Sequence, residues 1–286
     1  MRPTTRFRQL LAQPGLIVAP GAYDGLSAKL IEQAGFDVVY ATGGGISRSC
    51  GYPDIGLLTM TEVLMHLRCI VEATALPVLG DCDTGYGNAL NVMRAVREFE
   101  RIGVAGFHLE DQVTPKRCGH YEGKEVVSCE EMCKKLEGAL EARTDPDLVV
   151  IARTDARATQ GLEEAIRRGK EYATVGADMI FVEAPRDRDE LRRIADAIDR
   201  PLVANMVQGG KTPLLSAAEL HALGYKLAIF ASDVQRAAIY GMRELLQVLK
   251  RDGTPAAFAR TIDFPERDAI IGLAEVQRLE ARFLRL

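Results

Sequence analysis

The amino-acid sequence predicts an α/β protein of the (β/α)8 barrel class, a TIM-type barrel. Eight short runs rich in Val, Ile and Leu recur along 286 residues. Amphipathic segments lie between them, with apolar residues every three or four positions. Strands that are apolar throughout and alternate with helices fit a parallel sheet covered on both faces. Eight such units favour a closed barrel over an open doubly wound sheet, and barrels of this length are single domains. The expected organisation is one barrel over residues 1–286, with a loop at 111–127 and a C-terminal helical extension at 254–286.

The runs come in order. LIVAP covers Leu16–Pro20, DVVYAT covers Asp37–Thr42, PVLGDCD covers Pro77–Asp83 and AGFHLED covers Ala105–Asp111. LVVIART follows at Leu148–Thr154, then DMIFVEA at Asp178–Ala184, PLVANM at Pro201–Met206 and KLAIFAS at Lys226–Ser232. Between the third and fourth runs, NALNVMRAVREFERIG reads as a helix stopped by Gly103. LEEAIRRGKEYATVG, ended by Gly176, and RDELRRIADAID read the same way. The last stretch, DFPERDAIIGLAEVQRLEARFLRL, reads as an extra helix whose apolar face needs a partner, and a neighbouring subunit would supply one. The glycines at Gly43–Gly45 do not form G-x-G-x-x-G, so a dinucleotide fold is not expected.

Composition narrows the function classes. Apolar residues make up 47% and charged residues 27%, as in a globular enzyme with a full core. A net charge of −4 offers no basic field for nucleic acid or anionic lipid. No apolar stretch approaches the length of a membrane span. The N-terminal MRPTTRFRQLLAQPG lacks the apolar centre of a secretory signal, so a cytoplasmic location is expected. The six cysteines show no C-x-x-C pair, and no H-E-x-x-H occurs, so a zinc site of familiar spacing is not expected. Cys129 and Cys133, four apart, read as packing residues on one helix face.

In a barrel, chemistry gathers at the C-terminal ends of the strands. Here those ends carry Thr42, Asp81 and Asp83, Glu110 and Asp111, Arg153 and Asp155, Glu183, and Asn205. Asp81, Asp83 and Glu110 are oxygen donors on adjacent strands. Mg2+ prefers oxygen, keeps several waters and takes one or two carboxylates directly. The expectation is Mg2+, or Mn2+, held by Asp81, with Asp83 and Glu110 acting partly through water. Such a cation would bind a 2-oxo or 2-hydroxy acid and stabilise an enolate. Arg153 would clamp a substrate carboxylate, with Asn205 as a neutral donor to the same group. The loop at 111–127 is long enough to be a lid. It carries Cys118 among Lys116, Arg117 and His120, cations that would favour a thiolate, and Gly119 lets backbone approach a ligand.

EDQVTPKRCGH, preceded by DCDTGYGN and followed by IARTDA and VEA, resembles the isocitrate lyase / phosphoenolpyruvate mutase superfamily. VAPGAYDGLSAKL, YATGGG, GYPDIGL and ANMVQGGKTP extend the resemblance over nearly the whole chain. It is strongest to the short KRCGH-type members acting on 2-methylisocitrate, 2,3-dimethylmalate or carboxyphosphonoenolpyruvate. The resemblance implies a Mg2+-dependent barrel that swaps its eighth helix and forms a homotetramer, a dimer of dimers. It places the metal on Asp81, with Asp83 and Glu110 through water and Asp54 beside the metal waters. Thr42, Gly43 and Gly44 would hold the 2-oxo acid end. Arg153 becomes the substrate arginine, and Cys118 the acid–base residue, accompanied by Lys116, Gly119 and His120 on a gating loop. Glu183 and Asn205 would hold the other product. The expected activity is carbon–carbon cleavage of a 2-hydroxy di- or tricarboxylate to a 2-oxo acid. The alternatives are carboxyphosphonoenolpyruvate phosphonomutase chemistry, then hydrolysis of oxaloacetate-like acids. Mutases acting directly on phosphoenolpyruvate lack the loop cysteine, so Cys118 argues against that activity. Ala231, Ser232 and Asp233 depart from the family pattern after the eighth strand, where the far end of the substrate is shaped.

Overall fold

Apolar strands alternate with capped amphipathic helices along the chain. The computed structural model describes residues 1–284. The first half comprises α1 (Pro3–Ala12), β1 (Ile17–Ala22), α2 (Gly25–Gln33), β2 (Val39–Ala41), α3 (Gly43–Ser49), α4 (Met60–Glu72), β3 (Val78–Asp81), α5 (Ala89–Ile102) and β4 (Gly106–Glu110). Then come α6 (Cys129–Ala142), β5 (Val149–Thr154), α7 (Ala156–Thr159), α8 (Leu162–Val175), β6 (Met179–Val182), α9 (Arg188–Ala197), β7 (Leu202–Asn205), α10 (Ala217–Ala222) and β8 (Leu227–Phe230). The chain continues through α11 (Asp233–Asp252), α12 (Phe264–Ile270) and α13 (Leu273–Phe283).

Helix α5 shows the local logic. The Asn88 side chain accepts from the backbone N–H groups of Leu90 and Asn91, starting the helix. Val92, Ala95, Val96 and Phe99 fall on one face and are buried, and Gly103, at φ 90°, ends the helix in the left-handed region. Losing the Asn88 cap would cost about 1 kcal/mol. Truncating Phe99 to Ala would cost roughly 3–5 kcal/mol.

The eight strands close into a parallel barrel, with β1 pairing β8 in the register Ile17↔Leu227 to Pro20↔Phe230. The expected (β/α)8 class is the observed one. Side chains alternate along each strand. In β5, Val150 and Ala152 pack outward against the helices, while Val149 and Ile151 fill the barrel interior. Phe7 of α1, fully buried, joins that interior cluster with Ile17 and Ala105 at the strand starts. The same alternation turns Tyr40, Asp81, His108, Arg153, Glu183 and Asn205 inward at the opposite end.

Two features depart from the sequence reading. The glycine stretch opens a short helix, α3, where Thr42 Oγ1 accepts from Gly45 N at 3.2 Å. The extension at 254–286 holds two short helices, not one, and neither buries a side chain; its last two positions lie outside the described residues. Among the described residues, α11 buries only Gln235. Cys129 and Cys133 pack, partly buried, against the helix-facing core, as expected. No described helix is long and apolar enough to cross a membrane.

Candidate active site

At the C-terminal end of the barrel the inward side chains form an acidic floor. Asp81 sits at its centre. Its Oδ1 accepts from Asp83 N at 3.0 Å, and its Oδ2 faces Gly43 N at 3.2 Å and the Tyr40 hydroxyl at 3.3 Å. Tyr40 Oη lies 2.8 Å from His108 Nε2. Burial alone would raise Asp81, but His108, Lys116 and Arg153 around it hold its carboxyl well below the usual range. Burial lowers His108 to about 4, so the imidazole is neutral near pH 7. Asp83 adopts a left-handed backbone, φ 46°, an uncommon conformation that re-aims its side chain at the end of the strand. Burial and the neighbouring Asp81 push Asp83 upward against the pull of Lys116. Burial likewise raises Glu110 well above the ordinary range.

The loop at 111–127 lies over this floor. It is not structureless. Val113 N donates to Glu125 O at 2.9 Å and Val127 N to Asp111 O at 2.8 Å, giving the lid a short antiparallel stem. Its root is fixed by Asp111, which accepts from Thr154 Oγ1 (2.7 Å), Asp155 N (2.9 Å), Tyr172 Oη (2.8 Å) and Arg168 Nη1 (3.0 Å). At the tip, Lys116 Nζ lies 2.5 Å from Asp54 Oδ1 and 2.8 Å from Asp83 Oδ1. Lys124 Nζ donates to Asp155 Oδ1 at 2.9 Å and to Gly119 O. Cys118 N donates to Asp54 O at 3.0 Å, hanging the thiol over the cavity.

The thiol does not sit among the cations that the sequence places beside it. Lys116 is committed to two carboxylates, and Arg117 is exposed, its backbone clamped by the Gln112 side chain. His120 Nδ1 accepts from Lys211 N at 3.3 Å. Burial, with Asp54 nearby, pushes the Cys118 thiol up to about 11. The expected cation-favoured thiolate is therefore corrected to a protonated thiol. Arg153 also differs from a free clamp. Its Nε and Nη2 donate to Asp155 at 2.9 and 3.3 Å, and Nη1 lies 3.1 Å from Glu110 Oε2. Its hydrogen bonds to Asp155 use two of its five N–H donors, while Nη1 faces Glu110 and Nη2 also lies 3.8 Å from Glu183 Oε2.

Thr42, Gly44, Asp54, Asp81, Lys116, Cys118, Gly119, His120, Arg153, Glu183 and Asn205 line one cavity of about 400 Å³. Gly43, Asp83 and Glu110 lie behind its wall. Tyr40 and Arg48 also line it, and Lys124 locks the lid from behind; none of the three was singled out from the sequence. Tyr40 could have been found, because strand alternation points it inward with Thr42. For Lys124, four residues past His120, and for Arg48 in ISRS, no local signal marks a role.

The residues fit a divalent cation. Six carboxylates (Asp54, Asp81, Asp83, Glu110, Asp155, Glu183) face three cations (Lys116, Lys124, Arg153) in this buried region. Both Glu110 oxygens and Asp83 Oδ1 lack an aligned hydrogen-bond donor although buried, an acceptor surplus that protons or a cation must offset. Among the described residues no three His, Cys, Asp or Glu groups converge for direct ligation. A cation here would thus keep water between itself and most of its carboxylates, the habit of Mg2+.

Residues 7–250 match the family model described as phosphoenolpyruvate phosphomutase. The chain is 47% identical over 285 residues to 2,3-dimethylmalate lyase of Eubacterium barkeri, covering 99% of both proteins. It is 43% identical to 2-methylisocitrate lyase of Shewanella oneidensis, covering 87% of this chain and 85% of that protein. A crystal structure of 2,3-dimethylmalate lyase, described as a PEP mutase/isocitrate lyase superfamily member, superposes with a TM-score of 0.93 at 38% identity, covering 99% of this chain and 95% of that one. Phosphonopyruvate hydrolase, 33% identical with a TM-score of 0.90 over all of both chains, has a solved complex with oxalate and Mg2+.

Proposed function

Because the chain belongs to the phosphoenolpyruvate phosphomutase family, whose relatives include carbon–carbon lyases, we propose that it cleaves a 2-hydroxy di- or tricarboxylate of the 2,3-dimethylmalate or 2-methylisocitrate type. The observation that carries this reading is the position of the Cys118 thiol, held by the lid over the cavity floor through the bond from Cys118 N to Asp54 O.

Mg2+ held by Asp81 directly, with Asp83 and Glu110 through water, would bind the substrate's oxygens and offset negative charge as the bond breaks. The chain's residues do the rest. Thr42, Gly43 and Gly44 present backbone to the end that becomes the 2-oxo acid. The remaining donors of Arg153 hold a substrate carboxylate, and Asn205 and Glu183 border the other fragment. The substrate hydroxyl loses its proton to the acidic floor, and its carbon becomes the 2-oxo carbon. The adjacent carbon–carbon bond breaks, its electron pair passing to the departing fragment as an enolate of its carboxylate. Cys118 gives its proton to that carbon. Lys116 and His120 hold the thiol-bearing segment closed while water is excluded.

A phosphonomutase would use the same floor and cradle on a phosphorus electrophile. The Cys118 thiol argues against a mutase acting directly on phosphoenolpyruvate, but KRCGH is shared by the carboxyphosphonoenolpyruvate type and does not separate that type from the lyase. The bare apolar residues of α11, among them Ile239, Tyr240, Met242 and Leu246, support assembly with further copies into a tetramer. A cytoplasmic setting suits six free thiols. The deciding experiment supplies Mg2+ with 2,3-dimethylmalate and 2-methylisocitrate and measures released pyruvate. Release from either supports the lyase. No release from either, with a new phosphinate signal in 31P NMR from carboxyphosphonoenolpyruvate, would replace it with the mutase.

A further inference from the structure

Most cations around the cavity are already neutralised by the protein. Asp54 and Asp83 hold Lys116, Asp155 and Glu110 hold Arg153, and Asp155 holds Lys124. Arg236, at the exposed mouth, donates to Gln208 O at 2.6 Å. Arg236 too has no acidic partner among the described residues, but it spends one Nη on that carbonyl, whereas Arg48 spends neither. The Arg48 Nε donates to Gln235 Oε1 at 2.8 Å, and among the described residues neither Nη atom has a protein acceptor or an ion-pair partner.

The arginine is aimed by a built support. Gln235, only 6% exposed, reaches from α11 to α3, and its Nε2 donates to Gly45 O at 2.9 Å and to Ser49 Oγ at 3.3 Å. The amide's orientation is thus set by two acceptors before it receives the arginine. Gly44 clears the facing space, since a Cβ there would lie 3.2 Å from both Nη atoms and 2.7 Å from Asp54 Oδ2. Arg48 stands in the last turn of α3 and could serve only to offset the helix's C-terminal partial charge. That role needs no side chain from another helix gripping Nε, and it would not leave both Nη groups open to the cavity.

The geometry points to Arg48 as a second anion anchor, which makes this site selective for substrates with two carboxylates. The inference rests on the reading of the cavity as a 2-hydroxy acid site. Arg153, already spent largely on protein carboxylates, can hold one substrate carboxylate with its remaining donors. A second carboxylate would otherwise meet the acidic surroundings of Asp54. The two Nη groups of Arg48 present donors to it, the fork that suits a planar carboxylate. Gln235 is a positioning residue acting through Arg48.

The test is calorimetric binding, with Mg2+ present, of 2-methylmalate and its two half-amides to the wild-type protein and to Arg48→Gln and Arg48→Lys. Turnover is not needed. Arg48→Gln should weaken 2-methylmalate about tenfold or more. One half-amide should bind the wild type correspondingly weakly and lose little further in Arg48→Gln, which identifies the carboxylate that Arg48 holds. Arg48→Lys should keep part of the affinity and a wild-type melting temperature. Equal losses for the dicarboxylate and both half-amides, or no loss, would overturn the anchor. If the wild type releases no 2-oxo acid yet shows this pattern, the lyase reading falls and the anchor stands.

Discussion

Lys116 crosses from the lid to Asp54, its Nζ 2.5 Å from Oδ1, and both side chains are under 10% exposed. The contact ties residue 116 to the segment after α3, and Asp83 takes up the same ammonium. Burial would lower Lys116, but Asp83 and Asp54 raise it well above its ordinary value, so it stays charged. Removing one partner of a buried pair typically costs roughly 3–5 kcal/mol, because the other charge is left uncompensated. Lys116→Met should therefore release the lid without unfolding the barrel. Amide exchange across residues 111–127 should speed up, kcat/KM should fall about a hundredfold or more, and the melting temperature should move little. Unchanged exchange in that segment would show that Lys116 is not the latch.

Cys118 should behave as a thiol, not a thiolate. With its pKa pushed up to about 11, its ionised fraction at pH 8 is about one part in a thousand. The sign follows directly: alkylation by iodoacetamide is slow at neutral pH and accelerates as pH climbs towards 11. Site-resolved mass spectrometry should find Cys69, which is exposed, modified well before Cys118. Fast modification of Cys118 at pH 7 would contradict the protonated state. Cys118→Ser should lower kcat by about 10²–10⁴ with little change in melting temperature, the size usual for a lost acid–base group.

The cation reading makes a prediction that needs no substrate. A ligand that binds only the folded state at a hundred times its Kd adds about 2.7 kcal/mol of stability. Mg2+ should raise the melting temperature of the wild type, and EDTA should reverse the rise. Asp81→Asn should abolish it, while Asp83→Asn and Glu110→Gln, acting through water, should only reduce it. A rise that survives Asp81→Asn would place the cation elsewhere.

Much of the barrel was written in the chain's periodicity. Eight apolar runs became eight strands, and Gly103 and Gly176 ended their helices in left-handed conformations. The charged strand ends were visible because charge stands out after an apolar run. Their sorting was less visible. Asp81, Arg153, Glu183 and Asn205 share the inward parity of Leu79, Ile151, Phe181 and Val203, so alternation could have selected them and added Tyr40. Long-range pairing could not be read. Lys116 sits beside Cys118 in sequence, but its ammonium is drawn to Asp54, 62 residues away. Proximity in the chain therefore misjudged the thiol. Arg48 was hidden for the same reason, since the glutamine that aims it lies 187 residues on.

Gly119 offers the sharpest test of lid closure. Its φ is not in the left-handed region, so alanine fits its backbone. The space does not fit. An added Cβ would lie 2.7 Å from Glu183 Cγ and Cδ and 2.8 Å from Arg153 Nη2. Neither neighbour can yield easily, because Glu183 is 1% exposed and Arg153 is held by Asp155. Gly119→Ala should therefore be excluded only when the lid is down. Activity should fall about a hundredfold, as misplacement by an ångström does, with the melting temperature nearly unchanged. Gly123→Ala is the contrast. Gly123 has φ 75°, so alanine is strained there by roughly 1–2 kcal/mol, but its nearest neighbour is Arg117 at 3.9 Å and closure is not blocked. It should cost stability of the lid and far less activity. If the two variants lost activity equally, flexibility of the loop would matter more than the contact of Gly119 with Glu183 and Arg153.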